Sequence, residues 1–203
     1  MKCDAGYYCK GGSKTKVPVG LQTGDRCSVG YYCDVGSGFQ TPCPPGLACP
    51  NTGMSLADAL TFPCDAGYFC VNKAIRVDPG SNDGGGSCPA GYYCPSPLTA
   101  STTPALTDYD SGTRHPYPCE PGTYRASGGG DVKATSCTIC DPGYYCPDYA
   151  TTSITICDEG WYCDKSDGGI GETSPRPEGK FCPVGHYCSQ GVKLECENGK
   201  YQD

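Results

Sequence analysis

One seven-residue pattern, Cys-x-x-Gly followed by two mostly aromatic positions and a second cysteine, governs what this chain can fold into. It reads CDAGYYC at Cys3 to Cys9, and returns as CSVGYYC, CPPGLAC, CDAGYFC, CPAGYYC, CDPGYYC, CDEGWYC and CPVGHYC. Repeats start at Cys3, Cys27, Cys43, Cys64, Cys88, Cys119, Cys140, Cys157, Cys182 and Cys196, with spacings of 14 to 31 residues. That is the scale of single structural repeats in a tandem array. Two copies depart from the pattern. Arg125 stands where the second cysteine of the sixth is due, with Cys137 following later, and Cys196 opens a tenth copy that the end of the chain is expected to cut off.

Each position of the motif carries a physical instruction. Glycine is invariant three residues after the first cysteine, and Pro precedes it in Pro121-Gly122 and Pro142-Gly143. A type II turn uses that pairing, because its third position needs positive φ. The residue after the glycine varies from Tyr7 to Thr123 and Lys200, whereas the next is aromatic in every repeat except the third, which has Ala48. This is the alternation of a short strand. It predicts that Tyr8, Tyr32, Phe69, Tyr93, Tyr124, Tyr145, Tyr162, Tyr187 and Tyr201 pack inward against disulfides and turns. Tyr7, Tyr31, Tyr68, Tyr92, Tyr144 and Trp161 then face outward, and among these Tyr7, Tyr31, Tyr92, Tyr144 and Trp161 are the candidate interaction surface.

Composition leaves little room for an ordinary core. Leu, Ile, Val and Phe number 25 of 203 residues, while 19 are cysteine. A cysteine content near a tenth marks a disulfide scaffold in an oxidising compartment, the cell surface or beyond. The expected fold is therefore small and disulfide-rich, mostly irregular with short β-strands and hairpins, arranged as an elongated array of tandem cysteine-rich repeats. Segments between motifs are rich in Gly, Ser, Thr, Pro and Asp and read as loops. Met54 to Leu60, MSLADAL, is the exception, long enough for two helical turns.

Two connectivities fit the cysteine spacing. In one, each repeat closes on itself: Cys3 with Cys9, Cys27 with Cys33, Cys43 with Cys49, Cys64 with Cys70, Cys88 with Cys94, Cys140 with Cys146, Cys157 with Cys163 and Cys182 with Cys188. Cys119 then takes Cys137 across a larger loop, and Cys196 is left over. In the other, each second cysteine links to the next first cysteine, which pairs Cys137 with Cys140 and strands Cys3. An extended strand would hold the two cysteines of one repeat about 10 Å apart, beyond the reach of a bridge at about 7 Å between Cα atoms. That estimate favours the linked pattern.

The motif Cys-x-x-Gly-Tyr-Tyr-Cys, with the variant running from Cys119 to Cys140, resembles the cysteine-rich repeats called ephrin-receptor-like, which are similar to tumour necrosis factor receptor modules. Arrays of CPAGYYC-like units are abundant in large surface proteins of protists and algae. The resemblance implies an extracellular disulfide-bonded repeat protein. This chain uses mostly two cysteines per repeat, unlike the receptor modules.

Other chemistry is sparse. The two histidines, His115 and His186, have no recognisable catalytic partner pattern, so no enzymatic activity is expected. Cys137-x-x-Cys140 lacks a second pair at zinc-finger spacing, and the Asp164 and Asn82 segments lack the acidic residue that ends a calcium loop. Neither metal nor cofactor is expected. Net charge is −7 without a basic cluster, which argues against nucleic acid. No apolar run approaches the roughly 20 residues of a membrane span, so this segment should not insert. Met1-Lys2-Cys3 enters the first motif without a leader of the signal-peptide kind, which suggests a processed or partial chain. There is no Asn-x-Ser/Thr site. Thr99, Ser101, Thr102 and Thr103 with Pro104, and Thr151, Thr152 and Ser153, are candidates for O-linked sugars. The expected role is a structural component of an extracellular fibre, surface coat or ciliary appendage, whose partners are neighbouring copies and glycans. The alternative is the stalk or ligand-binding ectodomain of a cell-surface receptor.

Overall fold

In ten repeats the N–H of the residue after the invariant glycine donates to the carbonyl of the residue after the first cysteine, as Tyr7 does to Asp4 at 3.2 Å and Tyr144 to Asp141 at 3.0 Å. The nine motif glycines among the described residues have φ between 81° (Gly30) and 92° (Gly143), the type II value that a side chain would oppose. The computed structural model describes residues 2–20, 22–95, 114–131, 133–165, 171–198 and 200.

The turn decides the connectivity. By reversing the chain between the two cysteines it brings their Cα atoms to 5.9 Å in Cys3–Cys9 and to 6.4 Å in Cys157–Cys163, well inside bridging distance. Each complete repeat closes on itself, and Cys119 takes Cys137 at 5.5 Å. The linked pattern is thus incorrect, and with it the pairing of Cys137 with Cys140, because Cys140 bridges Cys146. The extended-strand distance failed by ignoring that the glycine curls the loop it sits in. Cys196 is the free cysteine.

After each turn the chain forms a ladder with the segment entering the next repeat. The strands are β1 (Tyr7–Cys9), β2 (Gly24–Arg26), β3 (Tyr31–Tyr32), β4 (Thr41–Pro42), β5 (Tyr68–Cys70), β6 (Gly85–Ser87), β7 (Tyr92–Tyr93), β8 (Tyr117–Pro118), β9 (Thr123–Tyr124), β10 (Thr138–Ile139), β11 (Tyr144–Tyr145), β12 (Thr155–Ile156), β13 (His186–Ser189) and β14 (Val192–Glu195). They pair consecutively into two-stranded sheets, β1 with β2 through β13 with β14. The register is constant: Tyr7 lies opposite Arg26, Tyr31 opposite Pro42, Tyr68 opposite Ser87 and Tyr144 opposite Ile156. In every case the outward position faces the residue just before the next repeat's first cysteine. Two-stranded ladders this short are marginal alone, so their order comes from what the repeats do to one another.

The chain contacts separate two compact bodies, Met1–Cys88 with Cys94–Tyr117, and Pro89–Tyr93 with Pro118–Asp203. The first body contains the short helix α1 (Leu56–Ala59), about one turn rather than two. Its N-cap Ser55 accepts from the Asp58 N–H, and the Asp58 carboxylate accepts from the Ser55 N–H in a reciprocal capping box. The second contains α2 (Lys133–Ser136) inside the enlarged Cys119–Cys137 loop.

Candidate functional site

The feature with the strongest claim to function is the joint between successive repeats, built almost entirely from backbone. In nine joints the N–H of a repeat's first cysteine donates to the glycine carbonyl of the repeat before, from Cys27 to Gly6 (2.9 Å) through Cys196 to Gly185 (3.0 Å). In seven of these joints the glycine N–H in turn donates to the carbonyl at the second-cysteine position of the following repeat, as Gly6 does to Cys33 at 2.8 Å, Gly30 to Cys49 at 2.9 Å and Gly143 to Cys163 at 2.7 Å. Glycine and disulfide are therefore clasped by two hydrogen bonds running in opposite senses. The absent side chain matters here as much as the dihedral. A Cβ on Gly6 would collide with the Gly53 carbonyl, and one on Gly143 would lie 2.6 Å from the Gln190 carbonyl. Those two carbonyls belong to segments that follow the second cysteine two repeats further on, so three successive repeats meet at one glycine.

The aromatic position completes the joint. Tyr8, 9% exposed, clusters with Cys27 and Cys33; Tyr32 packs on Cys43 and Cys49; Ala48 clusters with Cys64 and Cys70. In these three repeats the second-position side chain thus packs into the cluster that holds the next repeat's disulfide. Ala48 is too small for this duty, and Phe62, leaving α1, packs against both flanking clusters while its carbonyl accepts from the Ala48 N–H at 2.8 Å. The expected inward packing is strongest at Tyr8 and fails at Tyr187, which is 43% exposed. No disulfide stands in the tenth repeat for Tyr187 to cover.

The outward set is only half outward. Tyr7, Tyr31, Tyr92, Tyr144 and Trp161 are each half-buried. Arg26 lies 5.5 Å from the centre of the Tyr7 ring and donates to its hydroxyl at 2.9 Å, which holds the guanidinium above its ordinary pKa. Lys73 sits 5.0 Å from the Tyr31 ring, and Phe181 meets Trp161 edge-on at 5.4 Å. Tyr7, Tyr31 and Trp161 are thus bound up in local pairs, a use that their spacing in the sequence did not reveal.

Of the sugar candidates, Thr152 and Ser153 are exposed, and the Thr151 hydroxyl donates to the Asp148 carbonyl at 2.7 Å. Thr99, Ser101, Thr102 and Thr103 lie outside the described residues. His115 is exposed, and His186 Nδ1 lies 3.4 Å from the Val184 carbonyl. Among the described residues no group of three or more His, Cys, Asp or Glu side chains could hold a metal, and no helix is long and apolar enough to cross a membrane. In the second body Lys180 bonds Asp164 and the buried Glu172; burial opposes its charge, but the two carboxylates outweigh that and raise its pKa.

Comparison with known proteins adds no relative. The chain matches no protein-family model and no curated protein.

Proposed function

We propose that this chain is a structural segment of an extracellular fibre, surface coat or ciliary appendage, of the ephrin-receptor-like repeat kind, in which disulfide-closed repeats supply length and resistance to unfolding. One observation carries the reading: the same two-bond clasp recurs joint after joint, with consecutive repeats joined through backbone rather than through variable side chains. Such a joint tolerates almost any surface sequence, which suits a component whose task is extension. Nine disulfides support an oxidising setting outside the cell.

The test is location. Antibodies raised against residues 2–95 should decorate continuous extracellular fibres or a coat on the cells that make the protein. Labelling confined to isolated points on the plasma membrane would favour the receptor stalk, and labelling restricted to the cell interior would reject both.

A further inference from the structure

After a repeat's second cysteine the chain bends, and the N–H at the bend donates to the first-cysteine carbonyl of the repeat before: Gly36 to Cys3 and Ala150 to Cys119 at 2.9 Å, Gly53 to Cys27 at 2.8 Å, Lys73 to Cys43 at 3.0 Å. The backbone is thereby held against the neighbouring repeat. The residue just before each of these bends, Val35, Thr52, Asn72 and Tyr149 in turn, is exposed. The fold therefore displays a side chain at this position that the joints do not use. In one of the four it is a tyrosine.

Tyr149 belongs to no Cys-x-x-Gly motif, and it is 65% exposed. Among the other described tyrosines Tyr187, at 43%, is the one that is more than half-buried rings allow, and the rest are half-buried or buried. The base of the Tyr149 side chain is fixed from both sides, by the Ala150 N–H on the Cys119 carbonyl and by the Thr151 hydroxyl on the Asp148 carbonyl at 2.7 Å. Other oxidisable side chains are shielded or spent: Met54 is buried, Trp161 is half-buried against Phe181, and the bridged cysteines are already oxidised. An oxidant that reaches this surface meets the Tyr149 phenol.

We propose that Tyr149 is an oxidative coupling site, joined ring to ring with the Tyr149 of a second copy. Each phenol loses one electron and one proton, and the two phenoxyl radicals join through their ortho carbons, where unpaired spin is concentrated. The ring hydrogens at the new carbon–carbon bond then move to oxygen and restore both phenols. Hydrogen peroxide, acting through an extracellular haem peroxidase, takes up the two electrons and two protons and leaves as water. The link needs two convex, accessible rings, which the half-buried motif tyrosines do not offer. It deepens the fibre reading, on which it rests for a neighbouring copy, and it ties copies covalently in pairs.

The experiment treats the full chain carrying Cys196→Ser, so that a thiol does not scavenge the radicals, with a haem peroxidase and hydrogen peroxide. Physiological ionic strength screens the charge of −7 on each copy. A dimer that survives reduction in denaturant should form, with dityrosine fluorescence, and digestion should yield peptides linked Tyr149 to Tyr149. Tyr149→Phe should lose that dimer, and Tyr187→Phe should keep it in full. No dimer, a dimer that persists in Tyr149→Phe, or comparable linkage through any other tyrosine overturns the proposal. The extracellular material of the cells that make the protein should contain the same linked peptide; finding Tyr149 there only in its uncoupled peptide overturns it as well. Decorated fibres whose Tyr149 is uncoupled would leave the fibre reading standing without this link, whereas coupled Tyr149 without fibre or coat labelling would do the reverse.

Discussion

The Gly91 N–H donates to the Arg125 carbonyl at 2.9 Å, at the place where six other joints use a cysteine carbonyl. The clasp reads backbone, so a non-cysteine residue satisfies it. Arg125 also donates through its N–H to the Thr151 carbonyl at 3.0 Å, as Cys33 does to Met54 and Cys49 to Ala74. The side chain takes up the task left by the displaced cysteine. Nη1 donates to the Ser136 carbonyl and Nη2 to the Gly128 carbonyl, pinning the enlarged loop that ends at Cys137.

Arg125→Ala should therefore loosen the loop and spare the joint. Hydrogen bonds to a charged group contribute about 1.5 to 3 kcal/mol each, so amide exchange across residues 128–136 should accelerate at least tenfold and Cys119–Cys137 should reduce faster. Protection at the Gly91 amide should hold. If Gly91 loses protection together with the loop, the clasp depends on the side chain and this division of labour is wrong.

The ring-on-next-bridge rule predicts a directional effect. Truncating Tyr8 to alanine should cost about 3 kcal/mol locally, as for other large buried rings. The exposed bridge should be Cys27–Cys33, not Cys3–Cys9, although Tyr8 lies within the Cys3–Cys9 loop. Timed reduction followed by alkylation and mass spectrometry separates the two. Faster opening of Cys3–Cys9 alone would contradict the assignment.

Much of this architecture was readable from the residues and some was not. Cysteine, glycine and the aromatic position announced a turn and a strand at every repeat, since those requirements are local. The disulfide partners were misjudged because a distance drawn from extended geometry omitted the reversal that the glycine itself imposes. That Tyr8 covers a neighbour's bridge, or that Phe62 stands in for Ala48, depends on which repeats touch, which spacing alone does not encode. Least legible were Lys73, Ala150 and Gln190, with φ of 64°, 57° and 51°. They occupy the bend after the second cysteine where Gly36 and Gly53 sit in earlier repeats, and side chains there hide a backbone requirement that glycine advertises.

Two glycines with nearly the same dihedral should respond unequally to alanine. Gly12, at φ 87° with open space around it, should cost only the left-handed penalty of about 1 to 2 kcal/mol. Gly6, at φ 83°, must in addition displace the Gly53 carbonyl from the joint. Chemical denaturation of the two variants should rank Gly6→Ala well below Gly12→Ala in stability. Equal losses would mean that the dihedral alone makes the turn glycine necessary.

The capping box gives a pH dependence with a definite sign. The Ser55 hydroxyl, joined by the Ser55 N–H, holds the Asp58 carboxyl below its ordinary value of 3.8. A carboxylate whose pKa is lowered by folding contributes stability that is fully present above the unfolded value and lost as pH falls through the folded one. Acidification below about pH 4 should fray α1 and release Phe62 from the patch around Ala48, while joints without carboxylates, such as Gly30 with Cys43 and Cys49, hold. The Phe62 ring resonances in NMR spectra should shift over that range, and Ser55→Ala should move the midpoint upward toward the ordinary carboxylate value. An unchanged midpoint in that variant would show that the serine does not set the titration.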